Sequence, residues 1–192
     1  LKALAQSMPR TAPLPFTIIN GTSAGAINSA ALASYASCTH LAVRKLESVW
    51  KNFSTSMVYK SDFISVFGHL MRNMLTSFQS EHINHPPASL LNNQPLRNLL
   101  NEILDLTRIE RNLHRNYLDA LSITASSYTT GDSVAFFQSN TQSPWRRAKR
   151  EGQAARINVE HLMASSAIPM VFPSVMYTTT TLVMALFTNY RL

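Results

Sequence analysis

Phe16-Thr17-Ile18-Ile19-Asn20-Gly21-Thr22-Ser23-Ala24-Gly25-Ala26-Ile27-Asn28 is the stretch on which the reading of the fold turns. Phe16 to Asn20 is short, β-branched and apolar, which reads as a strand buried on both faces and therefore internal to a sheet. The run breaks at Gly21 and Gly25. From Ala24 to Ala36 the residues are mostly Ala, Ser, Ile and Leu, a helix of small side chains able to approach a sheet closely. Gly-x-Ser-x-Gly between strand and helix is a nucleophile elbow, a sharp turn that pushes the serine side chain outward. The glycines on either side leave room for crowded backbone. The backbone N–H of Ala24, at the positive end of the helix dipole, is a candidate donor to a developing oxyanion. The string alone occurs by chance in turns; the strand before it and the small-residue helix after it give it weight.

Outward from the elbow, helices and strands alternate. Leu1 to Gln6 has the composition of a helix tail and runs into a turn at Pro9, Pro13 and Pro15. Val43, Leu46, Val49, Trp50 and Phe53 fall on one stripe of a helix over Leu41 to Phe53. Phe63 to Phe78 is a further candidate helix, rich in Phe, Leu and Met. Pro95 suits a first helical position, with Leu96, Leu99, Leu100, Ile103 and Leu104 on one face. Thr107-Arg108-Ile109-Glu110 matches a capping box. Leu121, Ile123 and Ala125 alternate with Ser122, Thr124 and Ser126, and Val134 to Phe137 follows a Thr130-Gly131-Asp132 turn, which together predict a hairpin. Asn158 is placed to cap a helix running through Ala164 that stops near Pro169.

The chain has 192 residues, enough for one domain with a sizeable core. Charged residues make up 14%, below the roughly 25% of an average soluble domain, so much of the surface is neutral and polar or is covered by something else. The net charge of +7 favours an anionic partner such as a phospholipid surface or nucleic acid. Trp145-Arg146-Arg147-Ala148-Lys149-Arg150 is the densest basic patch. It holds one aromatic and no recognisable nucleic-acid motif, which weighs against DNA or RNA. A solvated basic loop and a lipid-headgroup contact both fit it. Cys38, the single cysteine, leaves no disulfide framework and no thiolate metal cluster. His82 and His85 stand before Pro86-Pro87 with only Glu81 near them, poor ligands for a metal. No metal and no cofactor are expected. With no secretory signal and no apolar run near the roughly 18 residues of a membrane span, the expected location is the cytoplasm or the membrane periphery.

Ile18-Ile19-Asn20-Gly21-Thr22-Ser23-Ala24-Gly25-Ala26-Ile27-Asn28 resembles the elbow of patatin-like phospholipases, where G-T-S-A-G-A-[IL]-N is nearly a signature. Ala164-Ser165-Ser166-Ala167-Ile168-Pro169-Met170-Val171-Phe172-Pro173 is similar to that family's A-S-x-A-x-P-x-x-F-P segment. Leu1-Lys2-Ala3-Leu4 resembles the helix that follows its oxyanion loop. The resemblance implies a three-layer α/β/α fold with a largely parallel central sheet. It also implies a Ser–Asp dyad without histidine, in which Ser23 attacks the ester carbonyl of a phospholipid or another acyl-ester lipid. The family's Gly-rich oxyanion loop and its D-G-[GA] aspartate have no counterpart: nothing Gly-rich precedes Ser23, and no Asp or Glu follows Glu160. The expectation is a partial patatin-like domain over 1–175, incomplete at both ends, with 176–192 a tail of no assigned role. Asp119 and Asp132 lack the context of the missing aspartate. His161 follows every acid and suits an α/β-hydrolase triad only formally; a surface histidine on the helix before the F-P segment is the plainer reading. Two classes of function stand: a serine lipid acyl hydrolase, of which only the serine is present, and a catalytically dead remnant or lipid-binding module of the same fold.

Overall fold

Strand β1 covers Ile18–Thr22 and carries the elbow at its end in the computed structural model, which describes residues 1–53, 94–127, 130–167, 175–177 and 180–184. Helix α1 (Lys2–Ser7) precedes it, and α2 (Ala24–Ser34) and α3 (Thr39–Phe53) follow. After the gap come α4 (Gln94–Ile103), α5 (Arg108–His114), β2 (Ala120–Ser127), β3 (Ser133–Ser139), β4 (Trp145–Arg147) and β5 (Arg150–Ala154). Helix α6 (Val159–Ser166) and strands β6 (Val175–Tyr177) and β7 (Thr180–Met184) complete the order. The candidate helix over Phe63 to Phe78 and the pair His82 and His85 lie outside the described residues.

The α/β fold expected from the sequence is present. Seven described strands form one mixed sheet, with β4, β5, β3 and β2 adjacent in that order. Pairing is parallel between β1 and β2 and between β3 and β5; it is antiparallel across the short connections β2–β3, β4–β5 and β6–β7, and also between β2 and the distant β7. The far edge of β2 is shared. β1 lies along it from Ala120 to Thr124, and β7 continues from Ala125 to Ser127. Residues 175–177 and 180–184 are therefore sheet, β6 pairing with β7, although the sequence from 176 onward suggested no role.

Alternation decides which side of the sheet meets the helices. Leu121, Ile123 and Ala125 on β2 and Phe136 on β3 are fully buried, while Ala120, Ser122, Thr124 and Ser126 are half-buried. The buried face packs on α2, whose Ala26, Ile27, Ala30, Ala31, Leu32 and Ala33 join it in a single core. Helix α2 is buried nearly all round, which small side chains permit at close range. Leu96 and Leu100 of α4, Ile109 and Leu113 of α5, and Leu162 and Met163 of α6 close the same core.

Strand β1 departs from expectation. It has one strand partner among the described residues, β2, and its burial alternates: Ile19 and Gly21 are buried, Asn20 is exposed and Ile18 is 70% exposed. An apolar run does not by itself make a strand internal; among the described residues, only one of its faces meets helices. The capping box at Thr107 is also absent. The Thr107 hydroxyl turns back to Asp105 Oδ1, 2.5 Å away, and makes no cap bond to α5. Thr107 is itself helical, at φ −64° and ψ −21°, instead of holding the extended backbone from which a cap oxygen reaches the N–H groups of the first turn.

Candidate active site

Ser23 sits between β1 and α2 with φ 58° and ψ −127°, a conformation that side-chain-bearing residues rarely hold. Three contacts maintain it. A side chain at Gly21 would collide with the carbonyl oxygen of Gly25 and with Ser29 Oγ, so the strand end and the first helical turn can approach only because residue 21 has no Cβ. Ser29 Oγ donates to the carbonyl oxygen of Asn20 at 2.9 Å, tying the second turn of α2 back to β1. The third contact comes from α6, over 140 residues away in the chain: Ser23 N–H donates to Ser165 Oγ (2.9 Å), and the Ser165 hydroxyl donates to the carbonyl oxygen of Thr124 on β2 (2.6 Å). Ser166 Oγ donates to the carbonyl oxygen of Ser23 at 3.3 Å.

The two motif segments are therefore parts of one structure: Ala164-Ser165-Ser166-Ala167 docks on the backbone of the elbow. In the sequence this segment stands only as a family mark; its part in holding Ser23 emerges once α6 lies across the end of β2. Gly25 is different from Gly21. A Cβ there meets nothing within 4 Å among the described residues, so crowding does not require the second glycine of the motif.

The Ser23 hydroxyl is left available. It makes no cap bond to α2 and no hydrogen bond among the described residues. Beside it, Ala24 is exposed at the start of the helix, and its N–H has no acceptor among the described residues. A partly negative oxygen held near Ser23 would meet that N–H and the positive end of α2.

A family model for patatin-like phospholipases matches residues 1–183. The chain belongs to that family. Neither a curated protein nor a solved structure matches it. The patatin-like family is one of lipid acyl hydrolases, and the partner class is lipid.

Against this patatin-like frame the acids fall away from the serine. Asp119 Oδ2 accepts from Thr17 Oγ1 at 2.5 Å, at the start of both parallel strands. The five residues of β1 separate it from Ser23, about 17 Å at strand rise. Asp132 lies in the β2–β3 turn at the same end of the sheet as Ser23. But β3 and β1 flank β2 on opposite edges, which leaves about 10 Å of lateral distance. Neither carboxylate is within hydrogen-bond reach. Among the described residues no three His, Cys, Asp or Glu gather into a metal-binding group. No described helix is long and apolar enough to cross a membrane.

His161 is not the surface histidine its position suggested. It is 2% exposed, and its ring packs edge-on to Phe136 with centroids 4.7 Å apart. It occupies the third position of α6 and closes a capping box: Asn158 Oδ1 accepts from the N–H groups of Glu160 and His161, and the Asn158 N–H donates to His161 Nδ1 at 3.1 Å. Burial holds its pKa down at about 4 against the usual 6.5, so the ring is neutral at physiological pH. The ring makes no bond to Ser23, whose partners are Ser165 and Ser166. The signal was in the sequence, since Asn158-x-x-His161 has capping-box spacing with an imidazole in place of Glu or Gln.

Proposed function

We propose that Ser23 is the nucleophile of a lipid acyl hydrolase site, and that Ala24 N–H is one of the donors to its oxyanion. In that chemistry Ser23 Oγ attacks the ester carbonyl, the alcohol or lysolipid leaves with a proton, and water cleaves the acyl-serine. The observation that carries this reading is the strained Ser23 at the strand–helix junction, its backbone bonded on both sides and its hydroxyl uncommitted. The lipid is a phospholipid or another acyl ester, and the surplus of positive charge supports peripheral contact with an anionic membrane.

The serine needs a proton acceptor, and this chain offers it none among the described residues. Loss of the base in a serine mechanism costs on the order of ten-thousandfold in rate. That favours a second reading for the chain as it stands: a lipid-binding module of the hydrolase fold that turns over little or nothing. Two assays separate the readings. Hydrolysis of nitrophenyl esters by the unaltered chain should stay close to the uncatalysed rate, whereas an alkyl fluorophosphonate, whose fluoride leaves with less help from a base, should label Ser23 and fail to label the Ser23→Ala chain. A folded chain that the fluorophosphonate leaves unlabelled favours the non-catalytic module. Ordinary activity in the unaltered chain, lost on Ser23→Ala, refutes the missing-base account.

A further inference from the structure

The end of the sheet that bears Ser23 also bears a second, separate feature. β4 and β5 form a hairpin in which Trp145 pairs with Gly152 and Arg147 with Arg150. Its turn is tight, with Lys149 at φ 56°. Register fixes where its tip lies. Arg150 is opposite Ser133 of β3, and Ser133 is opposite Ser126 of β2, whereas β1 reaches Thr124 of β2 with its last residue, Thr22. The hairpin tip and Ser23 therefore open at the same end of the sheet, three inter-strand steps apart, roughly 14 Å.

That tip is cationic and partly aromatic. Arg146, Arg147, Lys149 and Arg150 fall within five consecutive residues and all are exposed, with Glu151 the one acid from residue 133 to residue 159. Arg146 Nε is 4.0 Å from Glu151, a weak pairing at such exposure. The Trp145 indole lies against Gly152, where any side chain would displace it, and remains 40% exposed with the Arg147 guanidinium 5.8 Å from its centre. A rigidly seated indole beside a cluster of arginines has the chemistry of a membrane interface. Trp settles at headgroup depth, and each Lys or Arg near an anionic leaflet adds about 1 kcal/mol of attraction, a factor of about five in partition.

We propose that the hairpin Trp145–Ala154 docks the chain on an anionic phospholipid surface and thereby turns the Ser23 end of the sheet toward lipid esters. The purpose of the docking rests on the lipid reading of Ser23; its measurement does not. Charge complementarity selects the anionic bilayer as occupant, and the register supplies the reason for the hairpin's position.

Co-sedimentation of the full chain with phosphatidylcholine vesicles, with and without phosphatidylserine, tests it. Binding should require phosphatidylserine and weaken steeply with added salt, as the Debye length falls from about 10 Å at 0.1 M. Arg146→Gln alone should lower the partition coefficient about fivefold, and Arg146→Gln with Arg147→Gln and Lys149→Gln about a hundredfold. The control is Arg111→Gln with Arg115→Gln, which removes two exposed cations next to the opposite end of β2 and should change partition by less than about fivefold. Equal loss in the control, binding to pure phosphatidylcholine, or full binding by the folded triple variant would each overturn the proposal. So would tighter retention on single-stranded RNA than on phosphatidylserine vesicles. Vesicle binding without ester hydrolysis leaves the docking in place and counts against turnover; hydrolysis of soluble esters without vesicle binding does the reverse.

Discussion

The two sides of the elbow are built to different standards. On the side facing α2 and α6 every main-chain demand of Ser23 is met: its N–H goes to Ser165, its carbonyl oxygen receives Ser166, and Gly21 lets the helix close against the strand. On the opposite side the serine hydroxyl and the Ala24 N–H have no partner among the described residues, Asn20 is exposed, and Asp132 and Asp119 stand at least about 10 Å and about 17 Å away. The difference teaches that holding a serine in place and activating it are separate tasks. The first is accomplished by packing and hydrogen bonds within the core. The second needs a group brought from elsewhere.

If the inner side is as tightly built as its geometry indicates, substitutions there should be costly and those at the serine itself should not. Four measurements ordered by size examine this. Gly21→Ala should be the most damaging, because its methyl group meets backbone at Gly25 as well as Ser29. Urea melts should show a loss of about 3 kcal/mol or failure to fold. A variant within about 1 kcal/mol of the parent would mean that the close approach is not needed.

Next comes the buried ring on α6, the elbow's anchor helix. His161 takes up a proton near 6.5 when unfolded and only at about 4 when folded. Between those values the unfolded chain binds the proton and the folded chain does not. Stability should be full above pH 6.5 and fall as pH drops toward 4, by about 3 kcal/mol in all. His161→Gln keeps an acceptor at the third helical position and should remove that part of the pH dependence. An unchanged slope in denaturant titrations would show that His161 is not its source.

Ser165→Ala leaves Ser23 N–H and the Thr124 carbonyl oxygen without their partner and should cost about 2 kcal/mol. Faster hydrogen exchange at the Ser23 amide, with distant amides unaffected, would tie the loss to the elbow. A normal exchange rate would cut the link between the two motifs. The smallest effect has the opposite sign. Ser23→Gly relieves the strain at φ 58° and should stabilise by about 1 kcal/mol or less, since glycine's extra freedom in the unfolded chain offsets part of the gain. Destabilisation there would show that the serine side chain itself contributes to packing.

The elbow was legible because strand, turn and helix each leave a local mark: β-branched residues, glycines, then small residues in a run. The hairpin of β2 and β3 was legible for the same reason, through alternation. What sequence could not disclose were relations between distant segments. Ser165 reads as one serine among several until α6 lies across the end of β2. The burial of His161 depends on Phe136, which a helical pattern does not reveal. Strands β4 and β5 sit at the sheet edge and carry charges instead of an apolar face, so they appeared in the sequence only as a basic patch. Thr107 failed as a cap because its backbone is already helical, a conformation that a four-residue motif does not disclose.

Helix α2 has one further consequence. Its first turns are at once the wall of the core and the seat of Ser23, so a lineage selected only for a folded protein would still retain Gly21, Ser29 and Ser165. Ser23 and Gly25 have no such protection, since the strain at position 23 favours glycine there and no crowding demands the second glycine. Within one pentapeptide, then, Gly21 answers to architecture, while a serine at position 23 is held against the preference of its own backbone.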